Sequence, residues 1–382
     1  MSGPEAGGRL DTDALLDDPR TRIVVCCGAG GVGKTTTAAA LGLRAAERGR
    51  RTVVITVDPA RRLAQSMGLE SLDNTPHPVP LSEGARGSLH AMMLDMKRTF
   101  DEVVEEYADP GRAEQILANP FYQALSTSFS GTQEYMAMEK LGQLHRSGDW
   151  DLIVVDTPPS RSALDFLDAP KRLGRFLDGK LIRFLSAQGN GAFRLLGAGF
   201  GLVASVIGKV VGAQLLNDVR AFVASFDAVF GGFRKRAEQT YRLLQESGTA
   251  FVVVATPERD ALREASYFME RLSGDAMPLA GLVVNRTHPL PEGPAARLGA
   301  QEALAAAASL EAAGTHPAAA AALRLHAERV ALRGREIALR DRLLAEHRGV
   351  PTVEVAALAE DVHDLADLRA VGDALADTPD HP

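Results

Sequence analysis

The segment GAGGVGKT, residues 28–35, constrains what this chain can fold into more than any other feature. A β-branched apolar run, 23–27, leads into it, and the helix-forming stretch TTAAALGLRAAERG leads out and stops at Gly49. The pattern G-x-x-x-x-G-K-[ST] in that strand–loop–helix setting is a polyphosphate cradle. The glycines let the backbone N–H groups of Gly28, Ala29, Gly30, Gly31, Val32 and Gly33 turn inward, and the start of the following helix adds a favourable field for negative charge. Lys34 is then placed to reach the β- and γ-phosphates of ATP and the Thr35 hydroxyl to ligate Mg²⁺, with Thr36 beside it in the first helical turn.

A strand ending in such a loop belongs to a repeating βα architecture. Further short apolar runs lie at 52–57, 89–94, 152–155, 250–255, 282–284 and 352–355, separated by helical stretches. They predict an α/β fold, a doubly wound and mostly parallel sheet covered on both faces. The core is expected over 21–95, 149–165, 247–294 and 348–377. Two insertions, 96–148 and 166–246, read as a helical subdomain, and 295–347, rich in Ala, Arg and Leu, as surface helices. Residues 1–20 are polar and expected to be mobile.

Two carboxylates end predicted strands, at the sheet edge where folds of this kind bind ligands. Asp156 closes LIVVD, where a second Mg²⁺ ligand should emerge; capping of the next turn is the plainer explanation. Asp58 precedes Pro59 and could orient or deprotonate an attacking water. By position alone, a structural turn explains Asp58 equally well.

Composition narrows the setting. A net charge of -7 argues against broad electrostatic binding to nucleic acid. The two cysteines, Cys26 and Cys27, are adjacent in a predicted strand and so point to opposite faces, poorly placed to share a metal. With no disulfide framework and no secretory signal in view, a cytoplasmic protein is expected. The uncharged segment 195–208 is broken by glycines and falls short of the roughly 20 residues a membrane span needs.

The ordered set GAGGVGKTTT, TVDPARRLAQSMG, DTPPSRSALDFL and VVN resembles the family of arsenite-pump and tail-anchored-protein-targeting ATPases, in the deviant Walker-A class, as a bacterial member. The resemblance covers nearly the whole chain. It implies a dimeric ATPase that changes shape to bind or release a protein client or partner. It further implies that Asp58 activates water, that Asp156 opens the second switch segment, and that Asn285, in VVN, recognises adenine.

Two departures matter. The family's loop carries a lysine at its second position that crosses to the partner's nucleotide, where this chain has Ala29. A heterodimer with a homologue that retains the lysine is therefore expected, with a homodimer the alternative. Within such a pair the chain could instead be a low-turnover ATP-binding subunit, and an anion-pump subunit is a further alternative. The family's zinc-holding C-x-x-C pair and arsenite-binding cysteines are also absent. Finally, the apolar stretch 181–233, with Met92, Met93, Met96, Met136 and Met138, reads either as packing within the helical subdomain or as an adaptable groove for an apolar helical client.

Overall fold

A computed structural model describes residues 8–58, 62–120, 122, 123, 126, 133–158, 232–290, 293 and 297–376. The strands are β1 (Ile23–Cys27), β2 (Arg51–Thr56), β3 (His77–Val79), β4 (Ser88–Met93), β5 (Leu152–Asp156), β6 (Thr249–Ala255), β7 (Leu279–Thr287) and β8 (Thr352–Ala356). They form one sheet in the order β3-β4-β2-β5-β1-β6-β7-β8. Every neighbouring pair is parallel except β3 with β4. The fold is α/β, as the apolar runs predict. The short edge strand β3 has no sequence signature of its own: it is three residues long with Pro78 at its centre, and proline is tolerated in a sheet chiefly at an edge.

The helices are α1 (Thr12–Asp17), α2 (Lys34–Glu47), α3 (Arg62–Ser66), α4 (Met96–Tyr107), α5 (Pro110–Leu117), α6 (Gln133–Ser147), α7 (Phe233–Gln245), α8 (Arg259–Gly274), α9 (Ala300–Ala312), α10 (Pro317–Glu346) and α11 (Leu365–Ala376). Each face of the sheet carries its own core. One gathers Ile23, Val25 and Cys27 with Phe100, Tyr135, Leu244 and Phe268, from α4, α6, α7 and α8. The other gathers Val24 and Cys26 with Leu16, Leu41, Leu63 and Leu368, from α1, α2, α3 and α11. The strand alternation thus sends the two cysteines to opposite cores. Burial pushes the Cys27 thiol up to about 12 and the Cys26 thiol well above its usual range.

One expectation is corrected here. Residues 8–20 are not a loose tail. Arg9 bridges to Thr352 beside β8, Leu10 and Leu16 are buried, and the Asp11 carboxylate caps α1 by accepting from the Ala14 N–H at 2.9 Å. Arg44 clamps Asp13 at 2.6 Å, and Arg50 donates to the Leu16 carbonyl at 2.9 Å. The segment reads as polar because its ordering depends on two leucines and on arginines outside it. Met92, Met136 and Met138 are packed in the first core, which for these three agrees with the packing alternative. Of the stretch 181–233, all but Gly232 and the backbone of Phe233 lies outside the described residues.

The acidic face of α4 also has more structure than its composition suggests. Glu102 holds Lys140 of α6 at 2.8 Å and accepts from buried Asn74, while Asp101 accepts the Tyr122 hydroxyl at 2.7 Å. Among the described residues, no helix is long and apolar enough to cross a membrane.

Candidate nucleotide site

Loop 28–33 runs from the end of β1 to the start of α2. Its backbone conformation explains its composition. Gly28 has φ 153°, and a Cβ there would sit 2.1 Å from the Val254 carbonyl oxygen of β6. Gly33 has φ 96°, and a Cβ there would meet the Asn285 amide at 2.2 Å. Only glycine satisfies both the left-handed conformation and the close approach. Ala29 is 8% exposed, and its carbonyl accepts from Lys34 Nζ at 2.7 Å. Lys34 is itself 5% exposed, and burial lowers its pKa against the pull of Asp156 and Asp58.

Behind the loop lies a compact polar cluster. Thr35 Oγ1 donates to Asp156 Oδ2 at 2.8 Å and Thr56 Oγ1 donates to the same oxygen at 2.9 Å. The strand register explains the meeting: Thr56 at the end of β2 pairs directly with Asp156 at the end of β5. The other carboxylate oxygen, Asp156 Oδ1, is buried and has no hydrogen-bond partner. A buried, unpaired carboxylate oxygen is costly unless something else ligates it. Beside the Thr35 hydroxyl it completes a pair of hard oxygen donors, the chemistry that suits Mg²⁺. Thr157 ties the segment after β5 to β1, its hydroxyl donating to the Cys26 carbonyl at 2.8 Å.

Burial pushes the Asp156 carboxyl up to about 6 from an ordinary 3.8, despite the hydrogen bonds from Thr35 and Thr56 and the nearby Lys34 charge. The metal-free fold therefore holds that proton more tightly than the unfolded chain does, and the protonated form is the one favoured by folding. Stability should fall as pH rises from 3.8 to about 6, by up to about 3 kcal/mol from this group. Denaturation curves across that window should show the slope in the native chain and lose it in Asp156→Asn. A Mg²⁺ ion held by Asp156 would need the ionised carboxylate, so its affinity would drop about tenfold per pH unit below the same value. An unchanged slope in Asp156→Asn would reassign the titration to another group.

In front of the loop opens a pocket of about 440 Å³, lined by Gly31, Gly33, Lys34, Thr35, Thr36 and Thr157. Asp58, Arg62, Gln65 and Ser66 close it on the β2 side, and Arg286, Asp361, Val362 and His363 complete the wall. Asp58 is half-buried, and its backbone N–H donates to Thr56 Oγ1 at 3.1 Å. The structure thus brings Lys34, Thr35, Thr36 and Asp58 to one cavity, with Asp156 beneath it. Pro59 and Arg61 lie outside the described residues.

Asn285 stands at the end of β7 against the loop. Its Nδ2 donates to the Val32 carbonyl at 2.9 Å and its Oδ1 accepts from the Arg286 N–H at 2.9 Å. The side chain fastens the loop to the end of β7, and it is the neighbouring Arg286, at φ 60°, that lines the pocket. Sequence reasoning missed Arg286 and the 361–363 segment. The first is hidden by its rare left-handed backbone, the second by an acidic loop with no motif.

Comparison with known proteins agrees with this geometry. The family model described as anion-transporting ATPase matches residues 21–307, most of the chain. The chain belongs to the anion-transporting ATPase family. It is similar to ATPase GET3 of Malassezia globosa, with 27% identity over 272 residues, which is 71% of this chain and 74% of that protein. ATPase GET3 of Podospora anserina is 28% identical over 275 residues, covering 72% and 75%. ATPase GET3B of Arabidopsis thaliana is 25% identical over 297 residues, covering 72% and 67%. As an ATPase of this family, the chain carries the loop, Thr35 and Asp156 inside the matched stretch, whereas Asp361 to His363 lie beyond it.

Proposed function

We propose that this ATPase binds Mg–ATP in the pocket and hydrolyses it within a dimer, coupling turnover to a change of shape that takes up or releases a protein client or partner. The observation that carries the reading is the Thr35–Asp156–Thr56 cluster directly behind the glycine loop. In this mechanism the loop N–H groups and Lys34 neutralise the phosphate oxygens. Thr35 and Asp156 would hold Mg²⁺, which would supply charge neutralisation at the phosphates. Asp58 at the pocket rim orients the attacking water and accepts its proton. Asn285 keeps the loop in register with β7 and borders the adenine end. The apolar periodicity of 203–233 supports an apolar helical client.

A second reading concerns the partner. Ala29 leaves a homodimer without a loop lysine at either site, which favours a heterodimer with a homologue whose lysine would serve this chain's nucleotide; a low-turnover ATP-binding subunit is the alternative. Phosphate release from Mg–ATP by the purified chain, alone and mixed with lysine-bearing homologues from the same cell, tests both readings. The mixture, and Ala29→Lys in the chain alone, should each raise the rate by about tenfold or more, a modest share of what a charge supplied in trans can contribute. A fast chain indifferent to both changes would remove the heterodimer reading. No Mg²⁺-dependent release in any combination would remove the ATPase mechanism.

A further inference from the structure

We propose that Arg62 supplies, within the same chain, the cation that the loop lacks at Ala29, its guanidinium binding the γ-phosphate. The inference rests on the Mg–ATP reading above and names a residue that reading does not use. Arg62 opens α3, four residues beyond Asp58, and lines the same pocket as Lys34, Thr35 and Asp58. Its side chain is exposed, and among the described residues it forms no ion pair. It is a cation already at the cavity wall with nothing to release before it binds an anion.

The sheet order decides which phosphate it meets. Arg62 follows β2, and β2 lies beside β5, the strand that carries Asp156. Thr35 and Asp156, which would hold Mg²⁺ and offset terminal phosphate charge, lie on this side, so the γ-phosphate belongs here. The other arginine of the pocket, Arg286, ends β7. In the order β2-β5-β1-β6-β7 that is four strands away, roughly 19 Å at about 4.8 Å per strand. Arg286 therefore stands at the far end of the nucleotide.

Charge argues the same way. On the metal side Lys34 is one cation, with its Nζ already on the Ala29 carbonyl, and it faces the carboxylates of Asp58 and Asp156. A triphosphate adds negative charge there, and a second copy of this chain brings no loop lysine to offset it. A guanidinium presents a planar fork that matches two phosphate oxygens, which an ammonium cannot do. The competing explanation is that Arg62 is a solvated side chain at the start of a short helix.

The two differ in what Arg62 distinguishes. Affinities of the full chain for Mg–ADP and for Mg–ATPγS, measured by displacement of a fluorescent nucleotide, isolate the γ-phosphate without requiring turnover. Arg62→Ala should leave ADP affinity within about twofold and weaken ATPγS about ten- to a hundredfold, the range for a charged hydrogen-bonding partner. Arg62→Lys should fall between, keeping the charge and losing the fork. Should Arg62→Ala melt early, Arg62→Gln reads the same ratio in a longer side chain. Equal losses for both nucleotides, or none for either, would overturn the proposal while leaving the ATPase mechanism standing. Failure of the unmodified chain to bind either nucleotide would remove that mechanism and this inference with it.

Discussion

Lys34→Ala should abolish hydrolysis, a loss of at least about 10³-fold, and should weaken ATP binding sharply in the same protein. Lys34 is the only charged side chain of the loop, and it is held almost wholly out of solvent with its Nζ 2.7 Å from the Ala29 carbonyl. Burial already disfavours its charged form. The protein keeps a desolvated cation at a place where only an anionic ligand repays it. A loss of 10³ corresponds to about 4 kcal/mol of transition-state stabilisation, a magnitude found when a preorganised charge is removed from a dry site. Removing a desolvated ammonium should leave the melting temperature nearly unchanged, which separates lost chemistry from lost fold. Titration calorimetry with ATP, phosphate release and a melt together give the test. Normal turnover in Lys34→Ala would refute the cradle assignment.

Asp58→Asn should behave differently. Turnover should fall by about 10² to 10⁴, the usual worth of a positioned general base, with nucleotide affinity within about threefold of the parent. Asn keeps the shape of the carboxylate and its place on the pocket rim but cannot take a proton from water. The backbone of Asp58 is held by the Thr56 hydroxyl, and that bond survives the substitution because it uses the main-chain N–H. A side chain needed only in the transition state lowers the rate without touching binding. If affinity and turnover fell together, Asp58 would be a structural turn residue, the reading its position in the sequence leaves open.

Much of the fold was legible because its strands are buried on both faces. Runs such as VVCC in β1 and VVVA in β6 are continuous apolar segments of strand length. The loop was legible because phosphate recognition by backbone demands glycine at particular places, and Gly28 and Gly33 occupy conformations that no other residue tolerates there. What escaped was what depends on distant partners. Thr56 gains its role only because strand register sets it opposite Asp156, a hundred residues later. Residues 8–20 look unremarkable until Arg44 and Arg50 are folded against them. The hydrogen bond from the Asn285 amide to the Val32 carbonyl is a geometric fact with no signature in composition.

The placement of β1 between β5 and β6 has a consequence for how the chain is made. Ile23 finds its partners in Ile153 on one side and Thr249 on the other. The strand that ends in the phosphate loop is made well before its second neighbour, which follows only after roughly 10 to 45 seconds at ordinary elongation speeds. Until β5 emerges both edges of this apolar strand are unsatisfied, and until β6 emerges one still is, the kind of segment that recruits holding factors or aggregates. Parallel pairings of such long sequence separation also close slowly. Nascent chains that stop short of β6 should thus lack the second neighbour that holds the strand carrying the phosphate loop.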